Sequence, residues 1–177
     1  MSGSSLRFDA RWSRLVWVVT VAVILMLALV DALVVSEVWK AARGNALPVL
    51  LVVTALLPWA VLAVVALFAP RSYRVEPDGI VVKRLGPAAV IRYERIREIR
   101  RISPDDVGFA WRTFGSGGFL GWFGRFYSRR LGAFRAHATN MADLVLVTEV
   151  DGTKIVISPH PPDEFLEAVR GDMERSA

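Results

Sequence analysis

From Ala46 to Ala69 the chain runs twenty-four residues without a charge. A helix apolar on every face needs a surrounding core or a lipid environment. A second such run precedes it. Leu15–Val30 is uncharged with Thr20 its only polar residue, and extension to Val35 passes a single carboxylate, Asp31. A helix crosses a bilayer core of ~30 Å with about 20 residues, so both runs are long enough, over about 15–35 and 46–69. Residues 1–70 hold eight charged side chains and residues 71–177 hold thirty-one. The sequence therefore divides near Pro70 into an apolar anchor, 1–70, and a polar domain, 71–177.

The flanks of the two runs carry membrane signatures. Trp12, Trp17 and Trp39 stand where interfacial aromatics are expected. Pro48 falls in the first turn of the second run, where its missing N–H costs nothing, and Pro58 falls mid-run, where a kink is expected. The polar stretch Ser36–Asn45 is short enough to join only antiparallel neighbours, which makes the expected anchor a two-helix transmembrane hairpin. Arg7, Arg11 and Arg14 precede the first run, and Arg71, Arg74, Lys83 and Arg84 follow the second. Lys40 and Arg43, offset by Glu37, lie between them. The positive-inside rule then places both termini in the cytoplasm, with the chain in the cell membrane. A cleaved signal peptide, processed around Val30-Asp31-Ala32, is the rival, although the apolar run is long for one. Asp31 reads either as an intramembrane proton or ion site or as a helix-end residue reaching the headgroups. A single acid with no basic partner in either run favours the second.

Beyond Ser72 the hydrophobic period becomes two. Tyr73–Glu76, the turn Pro77-Asp78-Gly79 and Ile80–Leu85 spell a hairpin. Ala89–Tyr93 is a third strand, and Ile96, Ile99 and Ile102 predict a bent strand ending at Ser103-Pro104. Ala133–Thr139 is another. Asp143–Val150 and Thr153–Ser158 flank Asp151-Gly152, a strong hairpin turn. After Pro161-Pro162, Phe165, Leu166, Val169 and Met173 share one face of a helix whose first turn carries Asp163 and Glu164. That face requires a partner, and the sheet supplies it.

The order is about seven antiparallel strands followed by one amphipathic helix. Ile91-Arg92-Tyr93-Glu94-Arg95-Ile96 lies in the third strand, and Ile157-Ser158-Pro159 leads into Asp163-Glu164-Phe165-Leu166. Gly124-Arg125-Phe126-Tyr127, Leu131-Gly132 and Ala138-Thr139-Asn140 precede Leu144–Val147. In this order the segments resemble the bacterial pleckstrin-homology-like (PH-like) family, over roughly residues 72–172. The resemblance implies a bent sheet or partly open barrel closed at one end by the C-terminal helix. It also implies a binding scaffold without assigned activity, known in forms tethered by one or two membrane helices. In phosphoinositide-binding members the basic residues cluster around a long first loop. Here that loop is Pro77-Asp78-Gly79, short and acidic, so headgroup binding by that route is not expected.

The segment Thr113–Arg130, TFGSGGFLGWFGRFYSRR, holds five glycines, six aromatics and three arginines with neither helical nor strand period. It matches no phosphate loop and no dinucleotide fingerprint. It reads as a long connection, and connections of this length are usually functional or mobile. Its aromatics have three destinations: the core of the sheet, the membrane interface, or a protein partner's surface. Trp111, Phe119, Trp122, Phe123, Arg125, Tyr127, Arg129 and Arg130 are the candidate contact residues.

Charge and composition narrow the function classes. Residues 71–135 carry a net +8 and residues 136–177 a net −5, so the basic part adjoins the membrane exit. Each basic residue near an anionic surface is worth ~1 kcal/mol. The chain has no cysteine and two histidines, His137 and His160, outside any ligand spacing. No metal or other cofactor is expected. Basic and aromatic residues do not concentrate in a nucleic-acid motif, so no nucleic acid is expected as a partner. Ser128, His137 and Asp143 have no spacing that brings a nucleophile, base and orienting group together, so no enzyme is expected. The expected function is a non-enzymatic, membrane-anchored binding or scaffold module contacting a protein partner or the inner membrane surface, with self-association open. The alternative is a small subunit of a membrane transport or envelope-stress complex in which the spans themselves work.

Overall fold

The computed structural model describes residues 6–41 and 48–176. Two long helices, α1 (Arg14–Ala41) and α2 (Pro48–Phe68), accompany a mainly β domain. A four-stranded antiparallel sheet runs β1 (Leu6–Asp9), β2 (Ser72–Glu76), β3 (Gly79–Lys83), β4 (Ala89–Arg92) in spatial order. A six-stranded sheet is built from β5 (Ile96–Arg101), β6 (Ala110–Gly118), β7 (Gly121–Ser128), β8 (Gly132–Ala138), β9 (Val145–Glu149) and β10 (Lys154–Ile157). Its spatial order is β5-β9-β10-β8-β7-β6. A short helix, α3 (Pro104–Val107), links β5 to β6, and α4 (Pro162–Ser176) ends the chain.

The expected mainly β domain with a C-terminal helix is present, with three corrections. There are ten strands among the described residues rather than about seven, and one pairing is parallel, β8 with β10. The Asp151-Gly152 turn explains that pairing. It folds β10 tightly back on β9, with Gly152 at φ 84° and the Thr153 N–H donating to Asp151 Oδ1 at 2.8 Å. That places β10 between β9 and β8, in the same direction as β8. The third correction concerns Leu6–Asp9. The sequence boundary assigns these residues to the anchor, yet they pair with β2 from Leu6 opposite Val75 to Asp9 opposite Ser72.

The main core lies between the two sheets and under α4. Val75, Ile80 and Val82 face Val145, Val147, Ile155 and Ile157, and Phe165, Leu166 and Val169 of α4 close the end. Phe8 of β1 joins this core, its ring edge-on to Phe165 at 5.2 Å between centroids. Burying such a ring contributes ~2–3 kcal/mol, which is why four residues ahead of the first helix hold a place in the sheet.

Of the helices, α1 runs past the expected Val35 to Ala41, so part of the expected loop Ser36–Asn45 is helical. The rest of that loop lies outside the described residues. Residues Arg14–Glu37 are long and apolar enough to cross a membrane, and only 6% of their most apolar window is buried. The helix is thus not a core helix. The described apolar part of α2, Val52–Phe68, is shorter.

Candidate functional site

The glycine–aromatic segment is not a loop. It is the hairpin β6–β7, continued into β8 by Arg125 opposite Arg135 and Phe126 opposite Phe134. The glycines explain how. Gly115 and Gly124 face each other across the hairpin at φ 111° and 120°. A Cβ on Gly115 would lie 2.1 Å from Phe123 O, and one on Gly124 would lie 2.2 Å from Phe114 O. Only glycine lets the two backbones approach this closely. Gly118 and Gly121 close the pair at the tip, leaving Phe119-Leu120 as the turn.

The tip docks on α1. Leu120, at φ 57°, donates its N–H to Thr20 Oγ1 at 3.0 Å. Thr20 and Val16 are buried, unlike nearly all of the helix beyond them. The segment before α1 is held from the other side. Ser13 N–H donates to Thr139 O at 3.1 Å, and Thr139 Oγ1 donates to Arg11 O at 2.9 Å. Thr139 N–H in turn donates to Ser158 Oγ at 2.8 Å, and Ser158 N–H to Tyr73 Oη at 3.2 Å. Tyr73 Oη donates to His137 O at 2.5 Å. Burial pushes the Tyr73 phenol up to about 12, so it stays a neutral donor. A buried chain of hydroxyls thus fastens the first turns of α1 to both sheets. Further along, the Trp59 indole of α2 donates to the Asp31 carboxylate. Asp31 is therefore bonded between the two helices.

The eight candidate contact residues separate. Phe123 is buried and belongs to the interior. Phe119 and Trp122 are half-buried, with Phe119 O accepting from Ser116 Oγ at 2.7 Å. Trp111, Arg125 and Tyr127 are exposed; Trp111 lies opposite Tyr127, and Arg125 opposite Phe114. These four form an uncovered aromatic and cationic strip, with Phe109 edge-on to Trp111 at 5.1 Å. Phe114 and Phe109 are each 75% exposed and Trp111 is 67% exposed, the extreme values among the large apolar side chains described. Arg129 and Arg130 are exposed at the end of β7, and Arg130 donates to Asp105 O. On the outer face of the six-stranded sheet a cavity of about 590 Å³ is floored by Ala136, Ala138, Leu144 and Val156. It is walled by Val107, Phe109, Trp111, Trp122, Phe126 and Met141, and Arg112 lies along it.

Ser128, His137 and Asp143 are not brought into one arrangement. Ser128 Oγ accepts from Leu131 N–H at 3.0 Å, and Asp143 pairs with His160 Nδ1 at 3.0 Å. Burial, with Arg84 and Arg135 nearby, drives His137 down to about 3, and its Nδ1 has no partner. No group of metal ligands occurs among the described residues.

Thr20 and Arg112 lie outside the eight candidate contact residues. Thr20 carries a usable signal as the lone polar residue of its run. Arg112 carries none, because its place along the cavity depends on which strand face it occupies. Neither the curated proteins nor the solved structures yield a match to the chain. The family model described as the bacterial PH domain matches residues 71–173. That span runs from the start of β2 into α4 and holds both the hairpin and the groove, so the chain belongs to the bacterial PH domain family.

Proposed function

We propose that this protein is a membrane-anchored, non-enzymatic binding module whose PH domain rests against the cytoplasmic leaflet through the β6–β7 hairpin. The family supports the coarse reading, a binding scaffold without catalytic machinery. The observation that carries the rest is the docking of the hairpin tip on α1 at Thr20. If α1 enters the bilayer from Arg14, its seventh residue lies ~9 Å along the axis. Leu120 is held at that level, with Trp111, Phe114, Arg125 and Tyr127 on the strands behind it. Aromatic rings beside arginines are at home in the headgroup region.

Pairing of β1 with β2 supports the two-span anchor. Asp9 and Ser72 are register partners, so the chain between them leaves and returns on one side. This favours an even number of crossings, with α2 as the return. The same pairing disfavours a cleaved signal, because cleavage would remove a core strand. The lysine and arginine distribution places that side in the cytoplasm. Tethering raises the local concentration of the domain at the surface, so weak contacts suffice. A protein partner is then met at the membrane.

The absence of native cysteine makes the test direct. Spin labels are placed one at a time by Phe114→Cys and, on the Asp151-Gly152 hairpin, by Val150→Cys, and the chain is reconstituted in vesicles containing anionic lipid. The label at Phe114 is expected to be shielded from a water-soluble relaxation agent and open to oxygen, and the label at Val150 the reverse. Equal aqueous exposure at the two sites would refute the membrane-facing assignment. Asn45→Cys labelled from outside intact cells, with Asp151→Cys labelled only after lysis, is the outcome expected of the two-span topology.

A further inference from the structure

The six-stranded sheet is apolar on both faces, and the face away from the other sheet keeps a groove. Val145, Val147 and Ile157 point into the core shared with the other sheet. Leu144, Leu146 and Val156 alternate to the other side, where Phe126 and Phe134 stack at 5.7 Å and the 590 Å³ groove remains. Outward faces of antiparallel sheets are ordinarily polar. An apolar groove of this size falls within the ~300–1,000 Å³ typical of small-molecule sites.

We propose that the groove binds the acyl chain of a single-tailed anionic lipid, with Arg112 at its acidic head. Arg112 lines the groove, is exposed, and has no hydrogen bond or ion pair among the described residues. The rest of the lining is mainly apolar. A helix of ~10 Å diameter would fill this volume over only about one and a half turns, so the cavity suits one extended chain rather than a partner helix. One end of its floor adjoins a residue that bonds to the chain entering α1. Ala138 adjoins Thr139, which bonds to Arg11 O and Ser13 N just before α1. The source of the lipid, though not the groove itself, rests on the membrane-facing reading above.

The hairpin supplies a clean blocking variant. Gly117 has an ordinary backbone conformation, and a Cβ there would sit 3.7 Å from Phe126 Cε1 and 3.8 Å from Trp122 Cδ1 and Arg112 Cδ. Gly117→Leu therefore places a side chain in the groove without backbone strain. The full-length chain in phosphatidylcholine nanodiscs is exposed to an oleate analogue carrying a mid-chain diazirine, irradiated, and mapped by peptide mass spectrometry. Adducts are expected on β7, β8 and Met141, displaced by excess oleate and not by methyl oleate. Arg112→Gln is expected to raise the half-labelling concentration about tenfold, as for loss of one charge-assisted bond. Gly117→Leu is expected to abolish groove adducts. Adducts confined to α1 and α2 would overturn the groove while leaving the anchor in place. Groove adducts displaced equally by the methyl ester, or indifferent to Arg112→Gln, would overturn recognition of an anionic head. Loss of adducts everywhere would overturn both the groove and the anchored reading.

Discussion

Two hairpins in the same sheet are built on opposite logic. In β9–β10 the strands are Val145–Glu149 and Lys154–Ile157, rich in β-branched residues, joined by an Asp-Gly turn and buried on both faces. Side chains hold it, and its glycine serves only the turn. In β6–β7 the strands meet through paired glycines so closely spaced that a methyl group would not fit. Its large rings lie at the edge and tip, several of them in solvent. The first hairpin is fixed by what it buries. The second is fixed by what it omits, which leaves its aromatic faces available for contact.

The sharpest way to break this comparison is to give the second hairpin a side chain where it has none. Gly115→Ala is expected to cost more than ~3 kcal/mol, because positive φ and overlap with the Phe123 carbonyl act together. Gly117→Ala, two residues away, is expected to lie within ~0.5 kcal/mol of wild type. Thermal unfolding of the detergent-solubilised chain would measure both, and similar values would show that close backbone approach is not the constraint. In the first hairpin, Val147→Ala is expected to cost about 2 kcal/mol by cavity formation, detected by the same measurement.

Acid should separate the hairpins further. His137 stands on β8 opposite Phe123 of β7. Its folded-state value of about 3 lies below its ordinary 6.5. The unfolded chain therefore binds more protons below pH 6.5, and stability falls as pH drops from 6.5 towards 3. Between pH 6.5 and 5 the loss is expected to be about 1–2 kcal/mol, and His137→Phe should remove most of it. Hydrogen exchange at β7 and β8 should rise with acid before exchange at the β9–β10 turn. Thr20→Val is expected to cost about 1 kcal/mol from the lost acceptor for Leu120 N–H. Its signature is faster exchange at Leu120 with β9 and β10 unchanged.

The two hairpins also differ in how far they can be read from the chain. Asp151-Gly152 between alternating apolar residues announces a turn within six positions. Gly115 and Gly124 announce nothing until they are placed opposite each other, so a strand pair looked like a loop. The contact residues divide in the same way. Tyr127 and Trp111 are exposed as a contact surface needs, whereas Phe123 is interior, and sequence alone offered no face assignment because the β6 register shifts between Arg112 and Phe114.

What the amino-acid order determined by itself was whatever rests on neighbours in sequence: the apolar runs, the turn chemistry, the amphipathic stripe of α4, and with them the class of the domain. Those signals are set by periods of two and 3.6 residues and by local backbone preference. The tertiary structure alone decided that Leu6–Asp9 crosses to β2, that β10 inserts beside β8, and that Leu120 meets Thr20. Each of these joins residues separated by about 20 to 100 positions. Such contacts form only when the buried area gained exceeds the entropy of closing the intervening chain, and no local pattern records that balance.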